Sequence, residues 1–230
     1  MATTKTARPA VTVKFAQTLD GRLATSIGES KWISSEQSLK FAHKLRSEHD
    51  AILVGVGTVL ADDPQLNVRL VQGRDPVRIV VDSRLRIPTR ARLLSDGAGR
   101  GTLIATTERA AAGRVRKLQT LGAEVLRLPA RQTSAKGKAG VDMAALLVEL
   151  GRRGIKSVLV EGGAEVITSL LRAKLVDRLI VVIAPKIIGR GKESIGDLGI
   201  TRMRDAMKFL NVKVRRIGAD LVFDARLRAG

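Results

Sequence analysis

The 230-residue sequence contains no cysteine and no tyrosine, and only 2% of its residues are aromatic. Without thiols it forms no disulfide and no cysteine-based zinc site, and it offers no thiolate nucleophile. Its two histidines, His43 and His49, have a spacing that suits no zinc signature and leaves no third ligand in view. Both are read as surface residues, and no metal site is expected. Long apolar runs are also missing: none approaches the ~20 residues that span a bilayer. Residues 1–10 are polar, carry no apolar signal segment, and are expected to form a flexible tail. These absences point to a cytoplasmic protein that does not use a membrane.

What the chain has in excess is positive charge. Lysine and arginine number 41 against 22 acidic residues, a formal net charge of +19. Such a surplus is the electrostatic footprint of many nucleic-acid binders. Here it is scattered, through Arg84/Arg86, Arg114/Arg116/Lys117, Arg152/Arg153 and Lys213/Arg215/Arg216, with no recognition motif and few rings on which bases could stack. The expectation is a solvated basic surface with no specific nucleic-acid partner. Such a surface still draws in phosphorylated small molecules.

With 44% hydrophobic residues the chain is long enough to bury a substantial core. Short β-branched apolar runs recur at residues 11–16, 51–54, 77–81, 102–106, 124–128, 157–160, 179–184, 209–215 and 221–225. Several are continuously apolar, as in strands covered on both faces. Helical periodicity lies between them at residues 34–47, 108–121, 142–153 and 164–175, and Gly122 and Gly154 suit helix C-caps. The alternation predicts an α/β domain over residues 11–228 with a mixed, mostly parallel sheet flanked by helices. The last two runs, joined around Gly218-Ala219-Asp220, predict a C-terminal antiparallel hairpin. Residues 131–140, rich in Lys, Gly and Ser, are expected to be a surface loop.

Four loci can carry chemistry. In Lys14-Phe15-Ala16-Gln17-Thr18-Leu19-Asp20-Gly21-Arg22 an apolar strand contains a lysine, whose burial requires a partner. In Gly28-Glu29-Ser30-Lys31-Trp32-Ile33-Ser34-Ser35 the single tryptophan precedes a helix, as a packing anchor or as a wall for a flat ligand. That helix ends with Arg46, which either balances the helix dipole or binds an anion. The third locus, residues 51–69, runs from an apolar strand through Gly55 and Gly57 into Asp62-Asp63-Pro64. Leu60 stands where a dinucleotide fingerprint would need its third glycine, so an ordinary Rossmann site is not supported. Asp62 suits either a turn or a ribose hydroxyl. In the fourth, Ser157-Val158-Leu159-Val160-Glu161-Gly162-Gly163-Ala164-Glu165-Val166, a strand ends in a carboxylate and two glycines open a helix. This is either a plain turn or an anion site built from free N–H groups and the helix dipole.

In this order the four loci, with Val77-Arg78-Ile79-Val80-Val81-Asp82-Ser83 and Ala184-Pro185-Lys186, resemble the pyrimidine reductase family of riboflavin biosynthesis. That family comprises the reductase domain of the bifunctional deaminase–reductases and the stand-alone archaeal and fungal reductases. The resemblance covers residues 11–227. It implies a dihydrofolate-reductase-like fold, NADPH as hydride donor, a homodimer, and as substrate a pyrimidine carrying a phosphoribosylamino group whose ribosyl becomes ribityl. Carried over by position, the NADPH contacts fall on Ala16, Trp32, Thr58, Asp62, Ser83, Gly163, Ala164 and Glu165. The substrate contacts fall on Lys14, Ser30, Arg46, Leu66, Arg69 and Glu161. Lys14 and Glu161 are then the candidate catalytic acid/base and ion-pair set, Arg46 and Arg69 suit a phosphate, and Arg84 or Arg86 is a candidate for distinguishing NADPH from NADH. Two alternatives to a pyrimidine reductase are a related reductase of a pterin-like heterocycle and a basic nucleic-acid-binding protein. The deaminase's zinc chemistry would need cysteines, so a stand-alone reductase is expected.

Overall fold

The nine apolar runs of the sequence become the nine strands of one sheet in the computed structural model, which describes residues 8–95, 99–132 and 139–227. In chain order the elements begin with β1 (Ala10–Thr18), β2 (Arg22–Thr25), α1 (Glu36–Ser47), β3 (Ala51–Gly55), α2 (Val56–Asp62) and β4 (Val77–Val81). The central part comprises β5 (Thr102–Thr107), α3 (Ala112–Thr120), β6 (Glu124–Leu128), β7 (Ala130–Gln132), β8 (Ala139–Val141) and α4 (Met143–Arg152). The chain continues through β9 (Ser157–Val160), α5 (Ala164–Arg172), β10 (Arg178–Ala184) and β11 (Gly191–Glu193). It closes with β12 (Phe209–Ile217) and β13 (Asp220–Leu227).

The main sheet runs β12-β13-β10-β1-β9-β3-β4-β5-β6. From β10 to β6 every pairing is parallel, and β13 and β12 add antiparallel at one end. The expected mixed sheet with a terminal hairpin is therefore observed. Alternation along β3 shows why its strand is continuously apolar. Ala51 and Leu53 pack with Leu146, Leu150 and Ile167 from α4 and α5. Ile52 and Val54 pack with Val59 of α2 and Leu118 of α3. The sheet is thus a middle layer between two helical ones. Gly122 and Gly154 have φ of 85° and 79°, the left-handed geometry in which glycine ends a helix.

Several expectations change. Residues 56–62, read as glycines followed by a polar segment, form α2, because Val56 and Val59 share one helical face and are both buried. The ends of the expected 131–140 loop pair as β7 and β8, while residues 133–138 lie outside the described residues. The small antiparallel pair of β2 and β11 had no sequence signal, since neither strand carries an apolar run. Of the expected N-terminal tail, residues 1–7 lie outside the described residues, but Arg8 makes two 2.7 Å hydrogen bonds to Asp177 and Ala10 opens β1.

The histidines are not on the surface: His43 is 0% and His49 8% exposed. Nδ1 of His49 lies 2.7 Å from the Leu45 carbonyl and must donate to it, so Nε2, 3.1 Å from the Thr12 hydroxyl, accepts. The ring bolts the end of α1 to β1.

The packing of α5 on β3 depends on Gly55, where an added Cβ would stand 2.8 Å from Val166 Cγ2. Gly55→Ala should destabilise the protein by about 1–3 kcal/mol through overpacking. Combining it with Val166→Ala should recover part of that loss in urea unfolding. Equal stability of Gly55→Ala and the native protein would refute this account of the contact.

Candidate active site at the carboxyl ends of the strands

Parallel strands β1, β9, β3 and β4 all release the chain on the same edge of the sheet, where ligands of open α/β sheets collect. A cavity of about 770 Å³ lies there, within the usual range for ligand sites. It is lined by Lys14 and Ala16 from β1, Ser30 and Trp32 before α1, and Thr58 and Asp62 of α2. Ser83 follows from the end of β4, and Glu161, Gly163, Ala164 and Glu165 from the turn between β9 and α5. Four sequence-distant loci are thereby brought to one place. Ser30 Oγ donates to Asp62 Oδ1 at 3.3 Å, tying two of them together.

Three expected substrate residues do not line this cavity. Leu66 is only 3% exposed and packs in the core beneath β3 and β4; its φ of 54° turns the chain there. Arg69 is exposed beyond the cavity wall, with its guanidinium donating to Asn67 Oδ1 at 3.1 Å. Arg46 is engaged elsewhere. Its Nε and Nη2 donate to the two carboxylate oxygens of Glu161 at 2.9 and 2.6 Å, and its Nη1 donates to the Asn67 carbonyl at 3.0 Å.

The expected Lys14–Glu161 ion pair is accordingly replaced by an Arg46–Glu161 pair, with both side chains 11% exposed. A planar guanidinium meets a carboxylate through two parallel bonds, which an ammonium cannot do. Burial pushes the Glu161 carboxyl upward, but the charge and hydrogen bonds of Arg46, then the charge of Lys14, hold it below the usual range. Glu161 is therefore an anion at neutral pH. Burial lowers the Lys14 ammonium from its ordinary value; Glu161 opposes this and Arg46 reinforces it. Among the described residues the Lys14 ammonium forms no ion pair or hydrogen bond, so its free protons belong to the cavity it lines.

Trp32 is 73% exposed, which removes the packing-anchor reading and leaves its ring as part of the cavity wall. Asp82 is fully buried and shapes the turn after β4: its carboxylate accepts from Ile87 N at 2.8 Å and Arg84 N at 3.4 Å. Ser83, Arg84 and Arg86 are thereby presented to the cavity. At the opposite side Gly162 and Gly163 have φ of 138° and 78°. A Cβ on Gly162 would stand 3.3 Å from Thr58 Oγ1. Among the described residues no side chain caps α5, so the positive end of its dipole opens on the cavity.

Sequence reasoning missed the wall formed by Gly140, Val141 and Met143, and the Lys192-Glu193 strand. Gly140 sat in the segment taken as loop and Met143 in an expected helix, neither with a sign of chemistry, and Lys192-Glu193 carries no pattern by which a three-residue strand could be found.

A sheet of this order, with a ligand-sized cavity along its parallel edge, defines a dihydrofolate-reductase-like α/β domain. The chain belongs to the RibD C-terminal domain family, whose profile matches residues 9–223. It is 43% identical over 216 residues to the riboflavin biosynthesis protein RibD of Aquifex aeolicus, covering 94% of this chain and 57% of that protein. It is 40% identical over 223 residues to the 2,5-diamino-6-ribosylamino-4(3H)-pyrimidinone 5′-phosphate reductase of Methanothermobacter thermautotrophicus, covering 94% of this chain and 97% of the other. The chain thus spans little more than half of the RibD relative but nearly all of the archaeal one. Among solved structures, Acinetobacter baumannii RibD superposes with a TM-score of 0.80 at 26% identity, over 96% of this chain and 58% of that one. Dihydrofolate reductase from Enterococcus faecalis shares the fold at a TM-score of 0.52 and 12% identity, over 95% and 96% of the two chains.

The buried His43 beside this site gives it a pH signature. Burial first, then the charges of Arg46 and Arg69, lower its pKa to about 4. The unfolded chain therefore takes up this proton first as pH falls. The stability due to the neutral ring is complete above about pH 6.5 and is lost as pH falls toward 4, by on the order of 3 kcal/mol. Chemical unfolding followed across this window should show a shallower loss for His43→Asn than for the native protein. Parallel pH profiles would contradict the assignment.

Proposed function

We propose that this chain is an NADPH-dependent reductase of riboflavin biosynthesis, acting in the cytoplasm on a phosphoribosylaminopyrimidine, either the uracil compound or its diaminopyrimidinone precursor. The observation that carries this reading is the Lys14 ammonium, which faces the cavity beside the buried Arg46–Glu161 pair. The archaeal reductase relative, matched over nearly its whole length, supports the substrate class.

The residues fit the cofactor. Gly162 and Gly163 leave the backbone open beside Thr58, and the uncapped start of α5 suits a diphosphate. Trp32 offers a flat wall, and Arg84 and Arg86 at the end of β4 supply the cations that a 2′-phosphate would select. When bound, NADPH supplies the hydride.

The chain's own residues handle the protons. Opening the ribosylamine ring to an imine moves a proton from the exocyclic nitrogen to the ring oxygen. Completing the reduction adds hydride to the sugar carbon and returns a proton to nitrogen. Lys14, with its pKa lowered by burial, can give and recover such a proton at its Nζ. Glu161, kept anionic by Arg46, stabilises the charged form of Lys14 and accepts hydrogen bonds from substrate. In this reading Arg69, exposed beyond the cavity wall, takes the substrate phosphate through its guanidinium.

The reading includes a homodimer, paired through β12. This nine-residue strand ends the sheet, and Leu210, Val212 and Val214 on it are 43%, 50% and 64% exposed. A sheet edge presents a row of unpaired N–H and C=O groups with which a second chain can pair, and a two-fold axis would pair both copies at once.

NADPH oxidation should be followed with each pyrimidine phosphate and, in parallel, a dihydropterin. Turnover is expected with a pyrimidine and not with the pterin; no turnover with either pyrimidine refutes the function. Lys14→Ala and Glu161→Gln should each lower kcat by about a hundredfold or more, and full kcat in both would remove these residues from the chemistry. In sedimentation, the native protein should run as a dimer and a Val212→Lys, Val214→Lys variant as a monomer. A native monomer would end the β12 proposal.

A further inference from the structure

Residues 63–76 connect α2 to β4 without regular secondary structure, so the backbone that carries Arg69 has no ladder to hold it. Three consecutive residues are nevertheless pinned, the first and third of them from outside the segment. The Asn67 carbonyl accepts from Arg46 Nη1 at 3.0 Å, Val68 N donates to Asp75 Oδ1 at 2.7 Å, and Arg69 N donates to His43 Nδ1 at 3.2 Å. His43 and Arg46 stand three residues apart on α1, hence on one face of it. One helical face therefore clamps the segment at two points.

We propose that His43 is a positioning residue for substrate phosphate, acting through the backbone of Arg69. The inference rests on the reading above in which Arg69 takes that phosphate. Four observations carry it. The ring is fully buried, so its orientation is fixed by packing. Its Nδ1 receives an N–H and so must be the unprotonated nitrogen, which places the proton on Nε2. Among the described residues Nε2 has no partner, so the single bond to Arg69 N is what this buried polar ring supplies. Finally, Arg69 is held close enough to Arg46 and Arg92 for their charges to act on it. Like charges tend to splay apart, and a fixed backbone keeps the guanidinium from swinging away.

A protonated ring cannot accept from Arg69 N and would add a cation beside Arg46, Arg69 and Lys14, opposed by Glu161. Burial and those same cations keep the ring neutral through the physiological range.

The test uses the full chain, with ribose 5-phosphate as the phosphate probe and NADPH as the control, both by calorimetry. His43→Leu removes the acceptor, whereas His43→Asn keeps an acceptor oxygen near the position of Nδ1. Ribose 5-phosphate binding should weaken about tenfold in His43→Leu, with NADPH binding within about twofold of native, and His43→Asn should restore most of the loss. In catalysis the same change should fall on the KM of the phosphorylated substrate and leave kcat nearly unchanged. In an Arg69→Ala background, His43→Leu should cost nothing further, because the group it positions is gone.

Parallel losses for probe and NADPH would overturn the proposal, as would full binding by His43→Leu, failure of Asn to rescue, or an undiminished effect without the Arg69 side chain. If native protein binds the probe with this pattern but turns over neither pyrimidine, the reductase reading falls and the positioning role stands. Turnover with an indifferent His43 gives the reverse.

Discussion

The bidentate pair between Arg46 and Glu161 holds the candidate site together. It joins the last turn of α1 to the end of β9, and the same guanidinium reaches the Asn67 carbonyl. Three chain segments thus meet at one charged group. Burying two ions is costly, and the return is favourable only when geometry and hydrogen bonding are nearly complete. Three of the five guanidinium N–H groups are used here. A neutral pair of similar shape would pack as well, so a stability argument alone does not explain why charge is kept. In the proposed reading the charge serves Lys14: Glu161 opposes the burial that lowers its ammonium, and without Glu161 that lowering would be greater.

The pair also explains how cations can gather in one region. Lys14, Arg46 and Arg69 all feel the single carboxylate of Glu161. Their summed field is positive, as a phosphorylated ligand requires. Elsewhere part of the basic surplus has a structural use. Arg22, Arg78, Arg114 and Arg216 each donate to backbone carbonyls in turns or loops, at 2.9 to 3.0 Å for Gly189, Arg100, Leu85 and Gly218. A carbonyl acceptor carries no charge, so such a contact can hold a cation without calling for an acid of its own, although Arg22 also pairs with Glu193 at 3.4 Å. Some of the +19 therefore belongs to loop architecture rather than to a polyanionic partner.

The sheet was legible because burial on both faces demands apolar runs, and those runs survive any rearrangement of the loops. The cavity loci were legible for a related reason: glycines and charged residues at strand ends break the apolar pattern. Contacts decided by tertiary packing were not legible. His43 and His49 look like polar helix residues until β1 and the 67–69 segment are laid over them. Arg46 at a helix end reads equally as a dipole partner or an anion site, and only the approach of β9 shows that its anion is Glu161. Leu66 and Arg69 came from family resemblance, and neither side chain reaches the cavity wall. Trp32 could not be placed because exposure depends on what the following loop covers. The small strands β2 and β11 are too short and too polar to leave a periodic trace.

The incomplete dinucleotide fingerprint becomes intelligible from two turns that lie side by side at the cavity, joined by Gly55 N donating to the Gly162 carbonyl at 3.4 Å. After β3, α2 begins at Gly55, where glycine is needed for the close approach of Val166. The second glycine of that stretch, Gly57, has open space where a Cβ would be, so it is not there to admit a helix. Backbone openness sits instead on the turn from β9 to α5. Gly162 there adopts φ of 138°, which side-chain-bearing residues rarely adopt, and a Cβ would also crowd the Thr58 hydroxyl. The β3–α2 turn thus provides a wall and a hydroxyl, and the β9–α5 turn provides exposed amides at a helix start. In the proposed NADPH reading, the two tasks that one glycine-rich turn performs in a Rossmann fold are divided between adjacent strands. A third glycine at position 60 would add nothing, because Leu60 points outward from a short helix, 49% exposed.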